Sequence, residues 1–170
     1  MSLRILRFLT RKTLYFKLLE IIEKHCVSTI VDVGCGAGHF ISITERYYVT
    51  KQHKWVRLIG IDINYAVLEY AKRASEHSLF INADMFSLPL RDDSVDCVFF
   101  SHVIEHIIDP RSVFEEFKRI LTKRGCLVIT PTYHRWFFTP GHVRPYTIDR
   151  LKETLGEGGY EVIFVGYSHT

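Results

Sequence analysis

The stretch Ile30-Val31-Asp32-Val33-Gly34-Cys35-Gly36-Ala37-Gly38-His39-Phe40 reads as a buried strand, a sharp turn and the start of a helix. The β-branched run from Thr29 to Val33 is broken only by Asp32, as suits a central strand of a parallel sheet. Glycines at alternate positions let the backbone turn tightly and approach a ligand that a Cβ would hold away. The helix that follows aims its free N–H groups into the turn. Together these features predict a nucleotide-binding turn. The spacing then excludes two classes. A dinucleotide turn needs G-x-G-x-x-G, and here His39 occupies the place of the third glycine. No G-x-x-x-x-G-K-[ST] phosphate loop occurs anywhere in the chain.

The surrounding chain is long enough for one domain with a full core: 170 residues, 47% hydrophobic and 24% charged. A net charge of +3 predicts no nucleic-acid partner. The excess comes largely from Arg4, Arg7, Arg11, Lys12 and Lys17, which interleave with Leu3, Ile5, Leu6, Phe8 and Leu9. That pattern fits a membrane surface or an amphipathic lead-in packed on the domain, and the second reading is preferred. The apolar run is too short and too interrupted for a signal peptide, and no stretch has transmembrane length. Cys26, Cys35, Cys97 and Cys126 are widely spaced and lie in or beside apolar runs. They predict buried, reduced thiols and a cytoplasmic protein, not a zinc site.

In chain order, apolar spacing predicts a first helix over residues 12–24, then the strand and glycine turn. A second strand runs over 56–61, a helix capped by Asn64 follows, and a short third strand covers 79–81. Residues 95–100 form a fourth strand, Asp109-Pro110 opens a helix to about residue 121, and 126–130 form a fifth strand. An aromatic loop over 131–146 leads to a helix capped by Thr147, and residues 160–167 form a sixth strand. Strands alternating with helices imply an α/β, Rossmann-like three-layer sandwich with a mostly parallel central sheet of six strands. The whole chain, 1–170, is one domain, with 1–26 as helical lead-in and 131–146 on the substrate side. Ligands of such sheets sit at the carboxyl ends of the strands. There the chain places Asp62, Asp84 and Ser101-His102. Asp62 is positioned to accept both hydroxyls of a ribose, and Asp84 to accept from an adenine amino group. Ala83 or Met85 can offer a backbone N–H to the ring, with Ile63 and Met85 as its apolar walls.

These segments occur in a recognisable order. Asp32 to Gly38, Gly60 to Asn64, Asn82-Ala83-Asp84, Leu88-Pro89-Leu90, Ser94-Val95-Asp96 and Ser101-His102-Val103-Ile104-Glu105-His106 together resemble class I S-adenosylmethionine-dependent methyltransferases, nearest the small-molecule branch. The resemblance covers residues 27–165 and implies S-adenosylmethionine as cofactor. Its site would include Asp32, Gly34, Gly36, Gly38, Asp62, Ile63, Ala83, Asp84, Met85 and Ser101. Asp32 then helps to hold the cofactor's ammonium, and loop N–H groups meet its carboxylate. The methyl group rides on a sulfonium that is already activated, so a base is needed only where the acceptor must lose a proton. His102, Tyr133, His142 and Tyr146 are the side chains able to serve, and Gly-His-x-Arg-x-Tyr-Thr over 141–147 lies near the active site in the family. His102, His142 and Tyr146 are the catalytic candidates.

The Asn/Asp-Pro-Pro-Tyr/Phe segment of many amino-methylating enzymes is replaced here by Ser-His-Val-Ile, and no Pro-Cys nucleophile occurs. A small-molecule or lipid-like acceptor follows, with Trp136, Phe137 and Phe138 available either to wall it or to pack under the first helix. The family's closing antiparallel strand is not apparent, which leaves an open edge on which a homodimer can form. Two alternatives stand beside this reading. One is a cofactor-binding module without activity, such as one half of a heterodimer. The other, less favoured, is a zinc hydrolase through His102-x-x-Glu105-His106, which matches H-x-x-E-H.

Overall fold

The computed structural model describes residues 5–10, 15, 19, 20, 22, 28–50, 56–130, 143, 146–160 and 165–169, with backbone alone for 5–10, 148 and 165–169. Its elements are β1 (Ile5–Thr10), β2 (Thr29–Val33), α1 (His39–Thr50), β3 (Arg57–Asp62), α2 (Tyr65–Ala74) and β4 (Leu79–Asn82). They continue with β5 (Val95–Ser101), a 3₁₀ turn (Ile104–His106), α3 (Arg111–Ile120), β6 (Leu121–Thr130), α4 (Ile148–Glu157) and β7 (Val165–His169). Strands β4-β3-β2-β5-β6 form one sheet in that order, with every pair parallel. The chain works outward from β2 through β3 to β4, then crosses back to β5 and β6. The reversal lies between β2 and β5, and ligands of such sheets bind at the carboxyl ends beside that reversal.

Period-two alternation sorts the apolar side chains to the two faces. From β5, Cys97 and Phe99 join one cluster, whereas Val98 and Phe100 join the other. On the first face Phe40 of α1 stacks on Phe99 at 3.6 Å between centroids, with Tyr15 edge-on to both rings. On the second face α3 supplies Val113, Phe114, Phe117 and Ile120, and α4 adds Leu151 and Leu155. Helices on both faces of a parallel sheet give the expected three layers.

The caps read at Asn64 and Thr147 form, whereas α3 starts one residue later than Asp109-Pro110 implied, with Pro110 at its N-cap and no side-chain cap bond. Asn64 Oδ1 accepts from Ala66 N at 3.0 Å, and Thr147 Oγ1 accepts from Arg150 N at 3.2 Å. Asp96, just inside β5, accepts from Ser28 N and Thr29 N at 2.8 and 3.0 Å, tying the entry of β2 to its neighbour.

The expected six-stranded sheet requires correction. Among the described residues the central sheet has five strands, and β7 pairs parallel with β1 in a separate two-stranded sheet. Tyr160, the expected start of the sixth strand, lies outside any strand, and 161–164 are outside the described residues. The fifth strand also begins earlier than expected, because Leu121 pairs with Val95 before a register shift brings Cys126 opposite Cys97. The helical lead-in expected over 1–26 is corrected at residues 5–10, which are extended because they pair with β7; of the predicted first helix, Tyr15, Leu19, Glu20 and Ile22 are helical, and Tyr15, Leu19 and Ile22 are buried.

Candidate functional site

The glycine turn is held by the end of the neighbouring strand. Gly34 N and Cys35 N both donate to Ile61 O, at 2.8 and 3.0 Å, and Gly38 N donates to Cys35 O at 2.9 Å. Gly34, Gly36 and Gly38 all have positive φ, at 75°, 51° and 74°. They differ in what surrounds them. A Cβ on Gly34 would lie 2.4 Å from Val103 Cγ2, and one on Gly38 would lie 2.9 Å from Ala71 Cβ. A Cβ on Gly36 would meet nothing within 4 Å. Two of the glycines therefore permit close packing, and the middle one faces open space.

Asp62, the last residue of β3, closes the turn from the other side. Its Oδ2 accepts from Gly36 N at 2.8 Å and its Oδ1 accepts from Asn64 N at 2.8 Å. Each carboxylate oxygen keeps a further lone pair for an incoming hydroxyl. Asp32 lies beside it and is 3% exposed. Burial, and then the neighbouring negative charge of Asp62, push its carboxyl up to about 8. The same causes, burial first and then Asp32 and Asp62, push the Cys35 thiol far above its ordinary range. Cys35 is thus a packed, inert thiol. A buried acid beside a second acid is a ready partner for a small organic cation.

The next strand end carries the other expected contacts. Asp84 accepts from Phe86 N at 3.0 Å through Oδ1 and remains exposed. Ala83 N donates to Asp62 O at 3.2 Å. Its N–H is therefore already engaged, which leaves Met85 as the expected backbone donor to a ring. Ile63 is 68% exposed and Phe86 46% exposed, and Met85 is half-buried. These apolar side chains stand open at the strand ends, as a planar ring requires. The loop after β4 is pinned by Arg119 of α3, which donates to Leu88 O at 3.0 Å, Leu90 O at 2.8 Å and Asp92 at 2.7 Å. Arg119 did not stand out in the sequence, because an arginine on a helix carries no motif signal, and Asn82 stood out only as part of Asn82-Ala83-Asp84, with no role of its own.

At the end of β5, Ser101 shares a short hydrogen bond with Thr130, and His102 N donates to Thr130 O at 2.8 Å. His102 adopts φ 55°, a strained left-handed conformation for a non-glycine residue. Its Nδ1 lies 3.8 Å from Oε1 of Glu105, which is buried. The next residue, Val103, packs against the glycine turn, so β5's end and β2's turn are in direct contact. Tyr146 is 4% exposed within the core of the second face, and the Arg150 guanidinium lies 5.8 Å from its ring centroid. His142, Tyr133, Arg135, Trp136, Phe137, Phe138 and Arg144 lie outside the described residues. The zinc reading loses its geometry. Residues 104–106 form a single 3₁₀ turn and His102 precedes it with positive φ, so His102 and His106 do not share an α-helical face. Among the described residues no group of three or more His, Cys, Asp or Glu side chains is placed to hold a metal. Among them, too, no helix is long and apolar enough to cross a membrane.

A parallel sheet with a glycine turn at its reversal, Asp62 ending the next strand and Asp84 two residues beyond the one after it, is the layout of a nucleoside-binding α/β domain. Residues 31–129 match the family described as methyltransferase domain, and the chain belongs to that family, whose members use S-adenosylmethionine. Over 100 residues it is 31% identical to the ubiquinone/menaquinone biosynthesis C-methyltransferase UbiE of Campylobacter jejuni, covering 59% of this chain and 43% of that protein. Over 113 residues it is 32% identical to the malonyl-[acyl-carrier protein] O-methyltransferase of Hahella chejuensis, covering 65% of this chain and 39% of that protein. The chain therefore spans less than half the length of these curated relatives. In fold it is similar to a SAM-dependent methyltransferase from Aquifex aeolicus, with TM-score 0.64, 18% identity and 89% of each chain covered.

Proposed function

We propose that this chain is an S-adenosylmethionine-dependent methyltransferase acting on a small-molecule or lipid-like acceptor by direct in-line transfer. The observation that carries the reading is the closed set of strand ends: a positive-φ glycine turn bonded to Asp62, with buried Asp32 behind it and Asp84 one strand further. The space in front of Gly36 receives the ligand's amino-acid tail, Asp32 balances its ammonium, Asp62 accepts from its ribose and Asp84 from its adenine. Ile63 and Met85 flank the ring. When bound there, the cofactor supplies a methyl group on a sulfonium leaving group. The protein's own contribution is mainly to hold the acceptor in line, and well-oriented intramolecular systems gain about 7–11 kcal/mol in this way. His102, at the end of β5 beside the turn, stands where an acceptor proton would be taken, with His142 and Tyr146 as further candidates.

The two relatives named above carry the acceptor class: one is named for a C-methylation in quinone biosynthesis and the other for an O-methylation on an acyl carrier. We place the chain in the cytoplasm on its free cysteines, which among the described residues are Cys35, Cys97 and Cys126. Incubation with methyl-labelled cofactor and fractionated small-molecule and lipid extracts tests the function. Label in a small or lipid-soluble product is expected. Absence of label with intact binding of S-adenosylhomocysteine would leave a binding module in place of an enzyme.

A further inference from the structure

Asn82 ends β4, exposed to solvent, and its side chain reaches sideways to the neighbouring strand end. Its Nδ2 donates to both Asp62 O, at 2.9 Å, and Ile63 O, at 2.8 Å. Ala83 N adds a third bond from the same segment, to Asp62 O at 3.2 Å. Asp62 in turn passes the connection on, since its carboxylate accepts from Gly36 N at 2.8 Å and from Asn64 N at 2.8 Å. Three strand ends are thus joined in one line of hydrogen bonds: the side chain closing β4, the backbone and carboxylate closing β3, and the turn after β2.

We propose that Asn82 is a positioning residue for the adenosine half of the bound cofactor, an inference that rests on the methyltransferase reading above. An amide NH₂ has two hydrogens, and here one group meets two successive carbonyls. That fixes the peptides on either side of Ile63, and so sets both the direction of the Asp62 carboxylate and the placing of the exposed Ile63 side chain. Ribose hydroxyls and adenine ring read these two groups; the amino-acid tail does not. Because Asn82 is exposed, its removal should leave the fold intact; it frees the Ile63 carbonyl to turn to water and leaves the Asp62 carbonyl held by Ala83 N alone.

The test is a calorimetric titration of adenosine and of S-adenosylhomocysteine into the wild-type chain, Asn82→Ala and Asn82→Asp, with melting temperatures recorded alongside. Loss of two hydrogen bonds at a surface site should weaken both ligands by the same factor, on the order of tenfold, in Asn82→Ala. Asn82→Asp should weaken them further, because a carboxylate faces two carbonyls and donates nothing. Adenosine is neutral, so this extra loss is not charge repulsion with the ligand. Melting temperatures should stay close to wild type. Equal affinities in wild type and Asn82→Ala would overturn the inference, as would a loss confined to S-adenosylhomocysteine or one matched by a fall in melting temperature. A wild-type chain that binds neither ligand would instead overturn the cofactor reading, and this inference with it.

Discussion

Asp32 holds a carboxyl group in a place that disfavours its charge. Burial and the nearby Asp62 raise it from an ordinary 3.8 to about 8. The folded chain therefore keeps a proton that the unfolded chain loses, and the resulting stability is fully present below about pH 4 and lost as pH rises through about 8. The melting temperature of the ligand-free protein should fall between pH 5 and pH 8.5, and Asp32→Asn should flatten that slope. The ammonium of the cofactor needs the ionised form, so S-adenosylhomocysteine should bind more tightly as pH approaches 8 and should release a proton, seen as a buffer-dependent heat. Titration of Asp32→Asn should show binding at least about tenfold weaker, the cost of losing a charge-assisted partner. Asp62→Ala should weaken binding more than His106→Ala, since His106 is exposed and Asp62 holds the turn. Equal affinities for these two variants would break the ribose assignment. At this scale, spacing and hydrophobic pattern placed Asp32, Asp62 and Asp84 at strand ends. They did not reveal that Asp62 bonds Gly36 or that the Ala83 N–H is engaged, because those bonds depend on rotamers and loop torsions that no pattern encodes.

The turn between β2 and α1 behaves as one element with unequal parts. Gly34 combines φ 75° with a Cβ position 2.4 Å from Val103, so Gly34→Ala meets both backbone strain and a clash. Left-handed backbone alone costs roughly 1–2 kcal/mol for a non-glycine residue, and the clash adds to it. Gly36→Ala meets only the strain, but its methyl enters the open space before the turn. Chemical denaturation should show Gly34→Ala the less stable of the two. Ligand titration should show Gly36→Ala losing S-adenosylhomocysteine while remaining folded. A Gly36→Ala chain that binds normally would mean the ligand lies elsewhere. The strands of the central sheet and the caps at Asn64 and Thr147 were legible because local residues determine them. The early start of β6 was not, because the polar run Thr122-Lys123-Arg124 reads as a loop and is carried as a register shift against β5.

Over the whole molecule, the three layers follow from alternation within the strands, and the place of the ligand site follows from the reversal of strand order at β2. The two-stranded pairing of β1 with β7 joins segments from opposite ends of the chain. Interleaved arginines made residues 5–10 read as an amphipathic lead-in, and a pairing so remote in sequence leaves no local trace. The aromatic residues of 131–142 stay a sequence expectation for the acceptor side, since they fall outside the described residues. Hydrogen exchange should find β2 and β5, at the centre of the sheet, the most protected strands, and β4, short and at its edge, the least among the central five. S-adenosylhomocysteine should occupy the shared end of β2, β3 and β4, and calorimetric titration into the wild-type chain measures this. One-to-one binding with Kd on the order of micromolar is expected, and no measurable heat at millimolar ligand, in any buffer, would contradict it.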